Sequence, residues 1–394
     1  MPDGVRYYSF QVGSGYGDAA LAYIECLLSR GIAVSWSPMV PTQWGLAPWH
    51  MLPDHLRPDR DEIVQSLQGS PELMKCLGRE IDYDTVFIHT VPELWPKLVE
   101  PGKVNIGYTV WETDQLPNHW PAILNCVDRI CVPCEFNRTI FTLEKGAPVS
   151  VVPHSVRHPM QKVTEDESRA FRAEHGIAED MYLFYVISTW SPRKAIPETL
   201  HTFLTAFDAD DNVCLLIKTD QVGFNEQVGR RESARIMLDR IIENYPNPAK
   251  IELIDTKITD REILVIHASG DCFFSLAHSE GWGLGAFDAA ASGNPVIITG
   301  WGGQLDFLPA DSSYHVRYDL RALQETKDWE SYTKNQKWAY ANFDDAVTQL
   351  QHCYRYQKEA KEKGLSLQSV VNNRFSFEQV ASSLLEAIDD AHSE

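Results

Sequence analysis

What this chain lacks narrows it before any motif is read. No run approaches the roughly 20 apolar residues of a membrane-spanning helix, and Met1-Pro2-Asp3-Gly4-Val5-Arg6 carries no apolar signal core. A cytoplasmic protein, at most peripherally attached to a membrane, is the expectation. Positive charge is scarce: 35 Lys and Arg stand against 55 Asp and Glu, a formal net charge of −20. That balance argues against nucleic acid and anionic lipid as partners. The eight cysteines are too dispersed for a disulfide framework. Cys131-Val132-Pro133-Cys134 has no second C-x-x-C to complete a zinc site. Cys131 falls in an apolar strand-like run and Cys134 at the turn before a helix, so packing is favoured over redox or metal chemistry. There is no internal repeat and no low-complexity tract, and no D-x-D-like metal site stands out.

What is there is material for two domains: 394 residues, 44% of them hydrophobic. The chain is organised around one stretch, Ser279 to Ile298, which reads as acidic loop, short helix, turn and strand. Upstream, Asp271-Cys272-Phe273-Phe274-Ser275-Leu276 has the composition of a buried parallel strand, so Glu280 sits just past its carboxyl end. Gly283 to Ser292 favours helix, and Gly293 is a natural stop. Gly281, Gly283 and Gly285 surround the helix start, where backbone N–H groups attract an anion such as a diphosphate. Glu280 before the helix and Asp288 one turn inside it are acceptors suited to a ligand with hydroxyls at both ends.

Elsewhere the pattern alternates strand and helix. Tyr7 to Val12 is strand-like and enters a glycine-rich turn at Gly13-Ser14-Gly15-Tyr16-Gly17, followed by a helix from Ala19 to Ser29. The spacing is G-x-G-x-G, and the next strand, Ile32 to Trp36, ends in Ser37-Pro38 without the acid that holds a ribose; NAD binding is disfavoured. Pro38 to Pro58, rich in Pro, Trp and Met, reads as irregular, either a packed surface loop or an acceptor-facing platform. His89 and Glu112 stand at carboxyl ends of strands, which makes them candidates for acceptor binding or proton transfer. Tyr182 to Ile187 opens a second sheet. It is followed by Ser188-Thr189-Trp190-Ser191-Pro192-Arg193-Lys194, a cationic pair ahead of a helix, which diphosphate recognition needs. Strands at Val213–Lys218 and Ile251–Ile254, and helices over 229–244, 260–269, 343–363 and 377–391, complete the reading.

Glu280-Gly281-Trp282-Gly283-Leu284 through Asp288, then Ala291-Ser292-Gly293-Asn294-Pro295-Val296-Ile297 and Gly302-Gly303-Gln304-Leu305-Asp306, resembles the acidic motif of retaining GT-B glycosyltransferases of family 4. The resemblance implies an α/β fold of two Rossmann-like doubly wound domains facing across a cleft. The acceptor-side domain would span 1–155 and the donor domain 156–376, with a hinge near Pro153-His154-Ser155-Val156. The helix over about 377–394 would pack back on the first domain. It further implies that Glu280 meets the donor sugar, that Trp282, Gly283, Leu284 and Gly285 line the diphosphate, and that Asp288, where Glu is more usual, meets the ribose. Lys194 matches a lysine that neutralises the leaving diphosphate, and Thr189 stands where an arginine is usual, with Arg193 as a substitute. Gly15, Tyr16 and Gly17 would close on the donor phosphates from the first domain.

The implied activity is retaining, metal-independent transfer of a sugar from a nucleoside diphosphate sugar, UDP or GDP first, to a glycan, lipid-linked or other hydroxyl acceptor in polysaccharide assembly. No cofactor is implied beyond the donor as co-substrate. The catalytic candidates are Glu280, Lys194, Glu112 and His89. The rivals are a nucleotide-sugar epimerase on the same fold, which would use His89 and Glu112 as its pair, and a non-catalytic glycan- or nucleotide-binding module.

Overall fold

The structure is a computed structural model that describes residues 2–11, 15–43, 45–59, 63, 71–144, 146–156, 162–225, 229–323 and 331–393. Gly13 and Ser14 of the glycine-rich turn, and Trp44, lie outside them. The chain divides into two compact units: Met1–Trp111 with Gln115–Arg157 and Phe375–Glu394, and Glu112–Asp114 with His158–Arg374. Among the described residues no helix is long and apolar enough to cross a membrane.

The first unit runs β1 (Val5–Ser9), α1 (Gly15–Ser29), β2 (Val34–Thr42), β3 (Gly45–Pro48), α2 (Pro71–Cys76), β4 (Thr85–His89) and β5 (Val104–Tyr108). It continues with α3 (Trp120–Leu124), β6 (Arg129–Val132), α4 (Glu135–Thr142) and β7 (Val149–Val151). The sheet order is β3-β2-β1-β4-β5-β6-β7, parallel except for the β2–β3 hairpin. Strands apolar on both faces require cover on both, and the C-terminal helix, Phe377–Ser393, supplies part of it. Val380, Leu384 and Ile388, one stripe at four-residue spacing, join Ala20, Tyr23, Ile24 and Leu27 of α1 in one buried cluster. Cys131 and Cys134 are fully buried, and Cys134 stands at the N-cap position of α4 without a side-chain capping bond.

Three expectations change here. β1 starts two residues before Tyr7. The helix begins at Gly15 rather than Ala19, so Gly15, Tyr16 and Gly17 form its first turn and not a loop. Pro38 to Pro58 is regular in its first half: Met39 pairs with Pro48 and Val40 with Ala47 in a hairpin, and single 3-10 turns at Trp49–Met51 and Asp54–Leu56 follow. Pro48 is tolerated because β3 is the sheet's edge, where a missing donor breaks no inner ladder. Beyond it the Arg57 guanidinium stacks 4.7 Å over the Trp49 ring, whose indole donates to the Pro58 carbonyl at 3.1 Å.

The second unit runs α5 (Glu165–Glu174), β8 (Tyr182–Ile187), α6 (Ile196–Ala206), β9 (Val213–Lys218), β10 (Val222–Asn225), β11 (Arg230–Ser233), α7 (Ala234–Ile242) and β12 (Lys250–Ile254). Then come α8 (Asp260–Ser269), β13 (Cys272–Ser275), α9 (Leu284–Ala291), β14 (Val296–Thr299), β15 (Tyr314–Val316), β16 (Tyr318–Ala322), β17 (Lys337–Ala341), α10 (Phe343–Arg355) and α11 (Gln357–Arg374). Its sheet, β12-β9-β8-β13-β14-β15, is parallel throughout. Strand order reverses between β8 and β13, the place where open α/β sheets hold ligands.

Two antiparallel hairpins, β10–β11 and β16–β17, stand outside that sheet. The first corrects the helix expected from residue 229: Arg230–Ser233 pairs with Val222–Asn225, and the helix starts at Ala234. The helix expected over 343–363 is two helices, because Tyr356 leaves helical geometry at φ −114°, ψ 51°. That break lets α11 approach the turn after α9. A Cβ on Gly364 would lie 2.5 Å from the Gly293 carbonyl oxygen, so only glycine fits.

Candidate active site

The chemistry concentrates at the carboxyl ends of β8 and β13. After β8 the chain makes a single 3-10 turn, Pro192–Lys194, and enters α6 through Ala195 at φ 48°, ψ 42°. Ala195 is the one non-glycine residue with positive φ among those described. This left-handed geometry costs an alanine about 1–2 kcal/mol, and such strain is retained where surrounding structure fixes it. Here the turn is pinned by a bond from the His278 N–H to the Arg193 carbonyl, 2.8 Å. The turn therefore directs both cations at the loop that follows β13.

There, Glu280 holds both. Its carboxylate accepts from Lys194 Nζ at 2.5 Å and from Arg193 Nη1 at 2.9 Å. Arg193 Nη1 also donates to the Ser279 carbonyl at 2.7 Å, and Nη2 lies 3.4 Å from Glu112 Oε1. Tyr332 donates to the other Glu112 oxygen at 2.9 Å. Asp114 accepts from the Lys337 backbone N–H at 2.7 Å, which ties residues 112–114 to the second hairpin. The four charged side chains are only 13–19% exposed. Two carboxylates and two cations close a cluster of formal charge zero.

Burial and partners compete in each group. Burial opposes the charge of Arg193, but Glu112 and Glu280 overcome it and raise its pKa above the ordinary guanidinium value. Burial lowers the Lys194 pKa; Glu280 pulls it back up, while Arg193 adds to the depression. Burial pushes Glu280 up, and Lys194 with Arg193 override it to hold the carboxyl below its usual range. His278, beneath the turn, is pushed down to about 4 by burial and packs 4.1 Å from the Tyr340 ring. It is neutral at physiological pH.

The backbone around Glu280 is equally constrained. Gly303 N–H donates to the Glu280 carbonyl at 2.8 Å. Gly302, at φ 102°, lies so close that a Cβ would stand 2.9 Å from that same oxygen. Gly283 caps α9 at φ 92°. A Cβ on Gly285 would meet the Ile187 carbonyl oxygen at 2.9 Å, so the start of α9 seats directly on the end of β8. Trp282, 3% exposed, packs on Phe287 and Phe307 at 5.2 and 4.9 Å and forms a wall behind the loop. Leu284 opens α9, and Asp288 is buried one turn along it. Thr189 lines a pocket together with Arg193.

The structure thus joins Glu280, Lys194, Arg193 and Glu112 by direct bonds. His89, Gly15, Tyr16 and Gly17 belong to the first unit. His89 is 1% exposed, its Nδ1 2.9 Å from the Tyr7 hydroxyl, with its pKa held well below normal by burial and by His154. Tyr16 places its hydroxyl 3.0 Å from Thr109 Oγ1. Tyr332, Ala195 and the second hairpin were missed from the sequence. Alanine carries no left-handed signature, and Tyr332 lies in a stretch without periodicity.

No family model and no curated protein matches the chain. Solved structures do. The structure is similar to HepE of Anabaena, solved with UDP and glucose, at TM-score 0.66 and 12% identity over 98% of this chain and 99% of that one. It is similar to sucrose-phosphate synthase of Thermosynechococcus elongatus at TM-score 0.69 and 13% identity, covering 99% of both chains. A glycosyltransferase of Rickettsia africae matches at TM-score 0.65 and 12% identity over 99% and 98%. The chain has the GT-B fold of these glycosyltransferases over nearly its whole length.

Proposed function

We propose that the chain is a nucleotide-sugar-dependent glycosyltransferase. The observation that carries this reading is the ion-paired cluster of Arg193, Lys194 and Glu280 at the switch point of the second sheet, against the start of α9. A nucleoside diphosphate leaving group needs fixed positive charge, and two cations with the α9 N–H groups can offer it without a metal. Glu280 is then the acceptor for donor-sugar hydroxyls, and Gly283, Leu284 and Gly285 border the diphosphate. Asp288 faces the ribose in this reading. UDP is the first candidate, since HepE was solved with it.

Transfer with retention of configuration, to a hydroxyl of a glycan or lipid-linked glycan, is the finer form of the proposal. Lys194 and Arg193 exchange Glu280 for phosphate oxygens as the donor enters, and Glu280 is freed for the sugar. Glu112 keeps Arg193 charged and oriented through that exchange. His89, buried and neutral, is assigned a structural part. The test is thermal stabilisation by UDP, GDP, ADP and CMP, followed by NMR of the anomeric proton in the product. A ligand at about 100 times its Kd adds about 2.7 kcal/mol. A selective rise with one nucleoside diphosphate supports a donor site; no rise with any overturns it.

A further inference from the structure

The two hairpins outside the second sheet enclose a pocket of about 650 Å3 that Thr189 and Arg193 border on one side and whose hairpin walls the donor reading leaves unassigned. Its size is within the roughly 300–1,000 Å3 of small-ligand sites. Its walls are aromatic: Trp190 from the loop after β8, Phe224 from the first hairpin, and Tyr332 and Trp338 from the second. Gly223 lets the first hairpin lie flat on Trp190, since a Cβ there would stand 2.4 Å from it. Trp338, 5% exposed, has an indole N–H with no acceptor among the described residues. A buried indole donor normally finds a partner.

Arg230 and Arg231 also line this pocket, exposed and adjacent, in a chain of net charge −20. Neither makes an ion pair among the described residues. The neighbouring Glu232 feels the charge of Arg230 but bonds Arg240 at 3.0 and 3.1 Å and Asn225 at 2.5 Å, and Asp220 is the carboxylate in the lining, so the two arginines leave the pocket net positive. Aromatic faces suit the apolar face of a sugar ring, an indole N–H suits a ring hydroxyl oxygen, and a pair of guanidinium groups suits a phosphate or carboxylate.

We propose that this pocket binds a hexose bearing an anionic substituent. Its ring lies against Trp190 and Trp338, with the anion at Arg230 and Arg231. The binding does not depend on the transferase reading; under that reading the pocket belongs to the donor-side unit. Thr189 and Arg193 border the pocket, so the sugar sits beside the charge cluster.

The experiment is calorimetric titration of the full chain with glucose 6-phosphate, glucuronate, glucose and inorganic phosphate, each with and without UDP. Both anionic sugars should bind at least about tenfold tighter than glucose or phosphate alone. The double variant Arg230→Gln with Arg231→Gln, on exposed positions and checked by its melting temperature, should bring them to the level of glucose. Trp338→Phe should weaken all three sugars by a similar factor while leaving phosphate unchanged. Equal binding of anionic and neutral sugars overturns the proposal, as does phosphate binding as tightly as glucose 6-phosphate. Competition between UDP and the sugar also overturns it and gives the pocket to the nucleotide. If the anionic sugar binds and UDP does not, the transferase reading falls and this one stands.

Discussion

The two sheets reverse strand order in the same way, and the chain has filled the two reversal points with opposite chemistry. In the first unit the strand ends between β1, β4 and β5 hold phenols and imidazoles. Tyr23 and Tyr108 hydroxyls meet at 2.7 Å and both lie within hydrogen-bond distance of the Val152 carbonyl, at 2.9 and 3.0 Å, while Tyr23 also meets His154 Nδ1 at 3.1 Å. Burial holds His154 down at about 3, so this network is neutral. In the second unit the corresponding place holds four charges and a strained alanine. A neutral network whose groups bond one another can be sealed and left as architecture. A charged one of little exposure is costly to assemble and offers little net stability, which fits retention for a ligand.

Glu280→Ala tests that contrast most severely. It leaves Arg193 and Lys194 with one carboxylate between them, so stability should fall by about 3 kcal/mol in denaturant titration. Donor turnover should fall by about 100-fold or more. A variant as active as the parent would remove Glu280 from the site. Gly302→Ala should cost about 2–3 kcal/mol, because φ 102° and a 2.9 Å approach to the Glu280 oxygen act together. Gly102→Ala, at φ 78° with nothing within 4 Å, is the matched control in the first unit and should cost only about 1 kcal/mol. Equal losses would mean that the approach to Glu280 is not tight.

The cluster and the neutral network should also differ in their response to pH. Lys194 has a folded pKa below that of a free lysine, so it loses its proton earlier as pH rises. Donor affinity should therefore decline on the alkaline side before an ordinary lysine would titrate, and Lys194→Arg should move that decline upward. Glu280 works in the opposite sense: its depressed pKa contributes stability above the unfolded carboxylate value, which is lost as pH falls through the folded one. Tyr7→Phe, in the neutral network, should cost about 1–2 kcal/mol in stability by stripping His89 of its partner. Its kcat should stay within a factor of two, and a larger drop would make the first unit's network part of the chemistry. The smallest effect is Ala195→Gly, which should gain about 1 kcal/mol as the left-handed strain is relieved.

These contrasts follow what the sequence could and could not disclose. The second sheet's strands other than β15, and the loop–helix–turn around Glu280, were legible because their signals are local: apolar runs, spaced glycines, an acid beyond a strand. The pairing of Lys194 with Glu280 could be placed in one region but not bonded, since 86 residues separate them. Glu112 was expected to end a strand, but that strand stops at Tyr108 and Glu112 lies four residues beyond it, grouped with the second unit, where its union with Arg193 and Tyr332 has no local signal. The hairpins were hidden for another reason. Arg230-Arg231-Glu232-Ser233 has no alternation of apolar residues, and it becomes a strand only by pairing with Val222–Asn225. The expected irregular stretch at 38–58 failed in its first half through its prolines: Pro48 lies on the edge strand β3, and Pro38 and Pro41 lie in β2 at and beyond the last of its pairs with β1.

The seating of α9 constrains how this protein can diversify. At one end Gly285 lets the helix touch the end of β8, and at the other Gly364 presses against the Gly293 carbonyl while Gln368 donates to the Ala291 carbonyl at 3.1 Å. A helix held at both ends by contacts that tolerate no extra methyl group cannot drift to suit a new donor. The two hairpins lie outside that clamp, so a change in their length or residues can reshape the ligand's surroundings without moving the helix.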